Sequence, residues 1–307
     1  MPFSQGSRAG LSYVPEVTFG VTPGTPSLVA LPYTSHTLNL AKERVTGNDL
    51  QIDRMTRVDR HGNRSVAGDF VADLRKADYD PFLEAAFFNT FSANVLKIGT
   101  TPKFFSVEDA ATDISQFRLF TGVSVSTLAV SIKPNQMVTG TFGLVGKDMT
   151  VAGTSIDAIK TAASTNQPFD SYSGLMEIGN SGVAPTASAI ITGIDFTISN
   201  ELAPTYVIGS PSTPQLEYGM AVVEGTVTAY FENAALITRF INEVQTGIRV
   251  SVDDPTGVSD YTFFFPRVKI NAADIPVDGP TSRIITMPFV ALYDTVENTS
   301  VSLTRSV

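Results

Sequence analysis

Residues 66–74 alternate between two faces of an extended strand. Val66, Gly68, Phe70, Ala72 and Leu74 point one way, and Ala67, Asp69, Val71, Asp73 and Arg75 point the other, which predicts a strand buried on one face. The period then changes. Tyr79, Leu83, Ala86 and Phe87 recur at helical spacing, Pro81 suits the first turn of a helix, and Asp78 or Asp80 can cap it. The same order returns half a chain later. A strand pattern over 222–230 is followed by Asn233, a candidate cap, and by Leu236, Ile237, Phe240, Ile241 and Val244 at helical spacing. Both stripes predict a short helix packed on a sheet.

The two stretches hold a constant spacing. Val66 and Val223, Gly68 and Gly225, Ala72 and Ala229, Leu83 and Phe240, and Phe87 and Val244 are each 157 residues apart. Upstream, "TLNLAKE" meets "DFTISNE" at a spacing of 158, pairing Leu38 with Phe196, Leu40 with Ile198 and Glu43 with Glu201. Downstream, "FTGVSVSTLAVSIKP" from Phe120 meets "FPRVKINAADIPVDGP" from Phe265, and "VTGTFGLVGKD" meets "IITMPFVALYD", at spacings of 145 and 146. The shorter spacing predicts about a dozen extra residues in the first copy, near 92–115. The chain thus reads as an internal duplication, a feature that decides the architecture before any single element does. The expected organisation is an extended arm at 1–35, a first unit at 36–150, a linker at 151–187 with a helical turn near 156–162, and a second unit at 188–307.

Composition narrows the class. In 307 residues 43% are hydrophobic and only 17% charged, with Val, Ile, Thr, Phe and Tyr frequent and Gly and Pro throughout, which favours a mainly β architecture. A net charge of −9 argues against general affinity for nucleic-acid phosphates. The absence of cysteine excludes disulfides, thiolate nucleophiles and Cys-bound metals, so stability must come from packing or assembly. "MPFSQGSRAG" lacks the apolar core of a signal peptide, and no apolar run approaches the roughly 18 residues of a membrane span, so no membrane insertion is expected.

Candidate chemistry is sparse. The histidines are His36, at a strand entrance, and His61, whose setting "DRHGN" predicts a tight turn and a solvated ring. No nucleophile elbow, phosphate-binding glycine loop or zinc-protease pattern is present. "VDDPTG" at 252–257 lacks the spaced oxygen ligands of a calcium loop and predicts a β-turn. "NRS" at Asn63 and "NTS" at Asn298 match a glycosylation sequon without a secretion signal beside them. The sequence therefore predicts no catalytic residue, no metal site and no cofactor.

One segment departs from the acidic average. Across 42–64 the cations Lys42, Arg44, Arg54, Arg57, Arg60 and Arg64 outnumber Glu43, Asp49, Asp53 and Asp59. The counterpart at 202–218 is nearly uncharged and holds Pro204, Pro211 and Pro214. The charged stretch reads either as a solvated hairpin or as a protruding arm that meets an acidic neighbour.

The stretches "SRAGLSYVPEVTFGVTPGTP", "LPYTSHTLNL", "VAGDFVADLRKADYDPFLEAAF", "FTISNELAPTYVIGS", "GTVTAYFEN" and "YTFFFPRVKI" resemble the tail tube proteins of phages with long, non-contractile tails. The resemblance implies two tandem tail-tube-like β-sandwich or barrel domains, each with a short flanking α-helix, in a subunit that assembles into stacked rings through which phage DNA passes. It implies a virion protein assembled in the host bacterial cytoplasm, whose partners are copies of itself and the tape measure, tail terminator and tail-tip proteins. Because ring closure removes exposed strand edges, assembly would complete the fold. If each copy fills one of six ring positions, three chains make a pseudo-sixfold ring. The expected lumen residues are Asp69, Asp73, Glu224, Thr226 and Thr228, whose acids would repel phosphates; alternation alone turns them away from the subunit core, which equally fits an exterior surface or an interface. The 42–64 hairpin is the candidate contact between rings. The alternative is a β-sandwich binding module of the tail-tip or adhesin kind.

Overall fold

The computed structural model describes residues 3–49, 51–187, 190–257, 260–277 and 279–306. The chain is mainly β. In its first half are β1 (Ala9–Glu16), β2 (Val29–Leu31), β3 (Ser35–His36), β4 (Asn39–Thr46), β5 (Asp59–Asp73), helix α1 (Asp80–Phe87), β6 (Val95–Lys97), β7 (Phe104–Ala111), β8 (Gln116–Ile132), β9 (Thr139–Gly146) and β10 (Asp148–Ala152). Then follow β11 (Asp170–Asn180), β12 (Thr186–Ala187), β13 (Ile191–Ser199), β14 (Ala203–Pro204), β15 (Leu216–Glu217), β16 (Val222–Tyr230), helix α2 (Ala235–Ile241), β17 (Thr246–Asp253), β18 (Asp260–Ile270), β19 (Ile284–Ala291) and β20 (Ser302–Arg305).

One antiparallel sheet runs through both halves in the order β4-β5-β9-β8-β13-β16-β19-β18. Its centre is the pairing of β8 with β13, from Thr127 opposite Ser199 to Ile132 opposite Ile194. The long strand β8 leaves this sheet at its first half to pair with β7 and β10, and β7 in turn pairs with β1. On the other side β11, β17, β18, β20 and β6 form a matching second layer. Strand β20 therefore joins β18 to β6 of the first half.

Between the layers lies a continuous apolar core. Phe70 stacks on Phe142 at 4.6 Å and Phe82 on Phe105 at 4.7 Å, while Phe196 meets Phe263 and Phe265 edge-on at 5.0 Å. Each such ring, fully buried, stabilises the fold by about 1.5–3 kcal/mol.

Ladder registers in the two halves run parallel to each other. Asp69 lies opposite Gly143 on β9, and Thr226, 157 residues on, lies opposite Pro288 on β19. Leu40 faces Val66, and Ile198 faces Val223. A bulge falls between Phe105 and Val107 on β7, and another between Thr246 and Ile248 on β17, 141 residues later. The step in spacing from 157 to 141 falls between α1 and β7, so the surplus of the first half lies within residues 88–103, which include β6.

Several local expectations change. Residues 9–16, within the expected arm, form β1, buried at Leu11, Tyr13 and Val14 between β2 and β7; burial on both faces removes the period-2 signal. The stretch 151–187 carries β11, and 156–162 is a strap of bends, not a helical turn. Asp157 there accepts the Leu28 and Ile159 N–H groups, and Lys160 reaches the buried Glu108. The expected boundary at residue 188 lies outside the described residues. His61 sits in β5 opposite Arg44, not in a turn, because the β4–β5 ladder continues to Asp59. The turn at 254–257 forms as expected, with the Gly257 N–H on the Asp254 carbonyl at 3.0 Å.

The helices also differ from their simple reading. Neither Asp78 nor Asp80 caps α1: Tyr79 holds the cap position, Asp78 accepts the Ser164 N–H at 2.8 Å, and Asp80 binds Tyr261 and Arg305 of the second half. Helix α1 is buried at Phe82, Leu83, Ala85, Ala86 and Phe87. In α2 only Leu236 is buried, and Ile241 remains 68% exposed, although Asn233 does bind the Ala235 N–H at 2.8 Å.

Candidate functional site

Alternation along five neighbouring strands builds one polar face. The core side of β5 is Val66, Phe70 and Ala72, so Asp69 and Asp73 point away from it. In β16 the core side is Val223, Val227 and Ala229, which turns Glu224, Thr226 and Thr228 outward. Thr139 and Thr141 of β9, Thr127 and Ser131 of β8, and Asp195 and Thr197 of β13 occupy the same face in the strands between. The five expected lumen residues thus share a surface, but in two groups. β5 and β16 are four strand spacings apart, about 19 Å.

Glu224 and Thr226 line a shallow groove of about 420 Å³ with Ser131, Thr141, Asp195 and Thr197. Asp195 accepts from Ser131 and lies 3.3 Å from Lys133, across the β8–β13 junction. Asp69 accepts from the Thr37 hydroxyl, and its own N–H donates back to that oxygen at 3.0 Å. Asp195 was missed in the sequence reading, although the alternation of "DFTIS" marks it: Phe196 and Ile198 are buried and Asp195 and Thr197 are not.

The cationic segment is a ribbon. Strands β4 and β5 continue beyond the sheet, closed at Gly47 N–H to Val58 O at 2.9 Å, and every described residue from 41 to 61 is exposed. Arg44 pairs with Asp59 at 2.7 Å and Arg57 with Asp53. Lys42, Arg54 and Arg60 make no ion pair among the described residues. Arg64 is apart from them, at the ribbon's base, 3.2 Å from Asp148. There the 202–218 segment folds back onto the first half: Pro211 O accepts the Arg64 N–H at 2.8 Å, Tyr206 donates to Arg64 O, and Ser212 donates to Asp148 at 2.8 Å. Burial works to raise the Asp148 carboxyl, but hydrogen bonds from Ser212, the Met149 N–H and Arg64 outweigh it and hold it below its ordinary range.

The β8–β13 junction is stitched by Asn200. Its backbone N–H binds Ser126 O at 2.8 Å, and its side-chain amide donates to Ala86 O of α1 at 2.9 Å and to Val125 O at 3.2 Å. Leu202 and Leu216 then cover Phe88 at the end of α1.

Glu108, Glu16 and Asp109 are held by structural partners. Glu108, with a fully buried side chain, takes Lys160 at 2.7 Å, Ser155 and the Ile156 N–H. Glu16 takes Ser106 and the N–H groups of Gly20 and Gly122. His36 lies 3.5 Å from Asp109, which also binds Arg118. Burial raises the Asp109 carboxyl, yet the bonds from His36 and Arg118 prevail and lower it. Among the described residues no group of three or more His, Asp or Glu side chains is arranged to hold a metal, and no helix is long and apolar enough to cross a membrane.

A β-rich chain whose exposed features are an open sheet edge, a small-residue polar face and a charged ribbon belongs to the class of assembling structural proteins. A family model described as phage tail tube protein matches residues 6–291, nearly the whole length, and the chain belongs to that family. It is a structural virion protein of a phage tail tube. A search of curated protein sequences returns no match.

Proposed function

We propose that this chain is a tandem of two tail-tube units and that three copies close into a pseudo-sixfold ring, rings stacking into the hollow tube through which DNA leaves the capsid. The β8–β13 junction carries the reading. In it, the edge strand β8 of the first unit meets the edge strand β13 of the second, and the two units repeat corresponding registers around it and share the bulge of β7 and β17. The corresponding free edges are the 37–42 side of β4 and the 271–277 extension of β18, where Asp274 bridges Thr286 of β19. Transferring the register of β13 on β8 to these edges sets Leu38 of one chain opposite Ile275 of the next, and Asn39 opposite Asp274. Thr37 N–H points inward to Asp69 O at 2.8 Å, so by alternation the Leu38 and Leu40 N–H groups face outward; in the isolated chain the Leu40 N–H is held by the Asn39 side-chain oxygen at 2.9 Å, which a neighbour's carbonyl would replace.

Each chain would then give eight strands to a common barrel, closing the edges that an isolated subunit leaves open. The polar face becomes the bore, with Asp69, Asp73, Asp195 and Glu224 repelling phosphates and no counterion release to retain them. Tape measure, tail terminator and tail-tip proteins are the further partners, and assembly takes place in the host cytoplasm. Cysteines at Asn39 and Asp274 test the seam in a chain that has none of its own. The pair faces without mutual backbone bonds, at a Cα separation of about 4.5 Å suited to a disulfide. Oxidised tubes should yield covalent trimers; a chain that stays monomeric on denaturing gels contradicts the seam.

A further inference from the structure

The ribbon and one groove lie at opposite ends of the same sheet. Strand β5 meets β9 from Val66 opposite Gly146 to Asp73 opposite Thr139. The ribbon extends past the Val66 end. At the other end, the β8–β9 turn begins with Lys133 and Pro134, and these line a groove of about 350 Å³ with Ile132, Leu175, Met176 and Ile191. Leu175 is 50% exposed at its wall, and Tyr172 beside it is 95% exposed. Apolar surface of this kind on a soluble subunit marks a contact.

Charge is divided in the same way. Beside the groove Asp170, Asp253 and Asp260 face one another directly across β11, β17 and β18. Like charges in cross-strand register oppose each other unless a cation joins them. Burial, then Asp260, Asp254 and Asp170, push the Asp253 carboxyl above its ordinary range. The ribbon carries the complement: exposed Ile52, Met55 and Val58 among Arg54, Arg57 and Arg60.

We propose that the β4–β5 ribbon of one copy docks in the Ile132–Leu175–Ile191 groove of a second copy in the adjacent ring, its apolar tip in the groove and its arginines against the Asp170–Asp253–Asp260 row. The inference rests on the tube reading above and names the surface that a stacked ring would use. A donor at one end and an acceptor at the other is a heterologous contact, the kind that continues without closing. It also accounts for the unlike counterpart at 202–218. That segment is spent on Arg64 and Asp148 within the chain, so each chain offers one ribbon, not two.

The test is a pair of cysteine variants in the full-length, cysteine-free chain: M55C with L175C for docking, and N39C with D274C for the seam. Assembled tubes are oxidised or treated with a short bis-maleimide and run on denaturing gels. Docking predicts a covalent ladder that climbs past the trimer in the first variant, whereas the seam variant stops at the trimer. A seam product without a docking ladder overturns the docking alone. Absence of both products overturns the tube reading and the docking with it. In a second arm, R54E/R57E/R60E should slow tube elongation by at least about tenfold while leaving ring formation intact, because it places like charges on the aspartate row; unchanged elongation overturns the proposal.

Discussion

Gly68 is where the edge of the polar sheet is pressed hardest against its neighbour. Its φ is 152°, and a Cβ at this position would lie 2.5 Å from the Leu38 Cα and 2.6 Å from the Leu38 N. Both are backbone atoms, so no rotamer change relieves the contact. Gly68→Ala therefore costs about 1–3 kcal/mol of backbone strain and about 1–3 kcal/mol of overpacking, about 2–6 kcal/mol together. In a chain of this length 1 kcal/mol lowers the thermal midpoint by about 2 °C, which gives a fall of about 4–12 °C. Gly225, its counterpart, lies outside the left-handed range, and a Cβ there would meet the Phe289 ring at 2.6 Å and Asp195 O at 2.7 Å. Gly225→Ala should thus carry the overpacking share alone. Gly10 has nothing within 4 Å of a Cβ and serves as the reference. Differential scanning fluorimetry of unassembled protein measures all three. A Gly68→Ala midpoint within about 1 °C of Gly10→Ala would refute the close-approach argument. Since Leu38 belongs to the proposed chain-to-chain edge, the same variant should also delay tube formation.

Three further outcomes are expected. Asp69→Lys with Asp73→Lys should leave tubes assembled but slow DNA ejection, measured by dye release from particles; unchanged kinetics would put these residues outside the bore. Lys160→Ala leaves the Glu108 carboxylate buried without its cation, and urea unfolding should register a loss of about 3–5 kcal/mol, whereas a loss under about 1 kcal/mol would mean that water replaces the ammonium. Burial, followed by Asp78 and Asp80, pushes the Tyr13 phenol up to about 12 from its ordinary 10, and burial likewise raises Tyr79 and Tyr261. The stability this contributes is complete below pH 10 and is lost as pH rises toward the folded value, so the thermal midpoint should fall between pH 10 and 12 and fall less in Tyr13→Phe; equal slopes for the two proteins would contradict the assignment.

How much of this was legible in the sequence depended on whether a feature is local. A half-buried strand writes its orientation in alternate residues, so 66–74 and 222–230 could be read, and Asp69 and Glu224 fall on the polar face for that reason. Three classes of feature could not be read. Strand β1 is buried on both faces, so "GLSYVPE" has no period and read as an arm. Long-range polar partners leave no spacing signal either: Asp80 looked like a helix cap, yet it serves Tyr261 and Arg305, 181 and 225 residues away. The β8–β13 junction was hidden for a third reason, because an edge is recognised through backbone groups that every residue carries.

The ring itself gives the most direct measurement. Native mass spectrometry of isolated rings, or cryo-EM of the tube refined without imposed symmetry, should give three chains per ring, each spanning two of six quasi-equivalent positions, with Asn39 of one chain beside Asp274 of the next. Six chains per ring, or a barrel whose chains meet through other strands, would contradict the account.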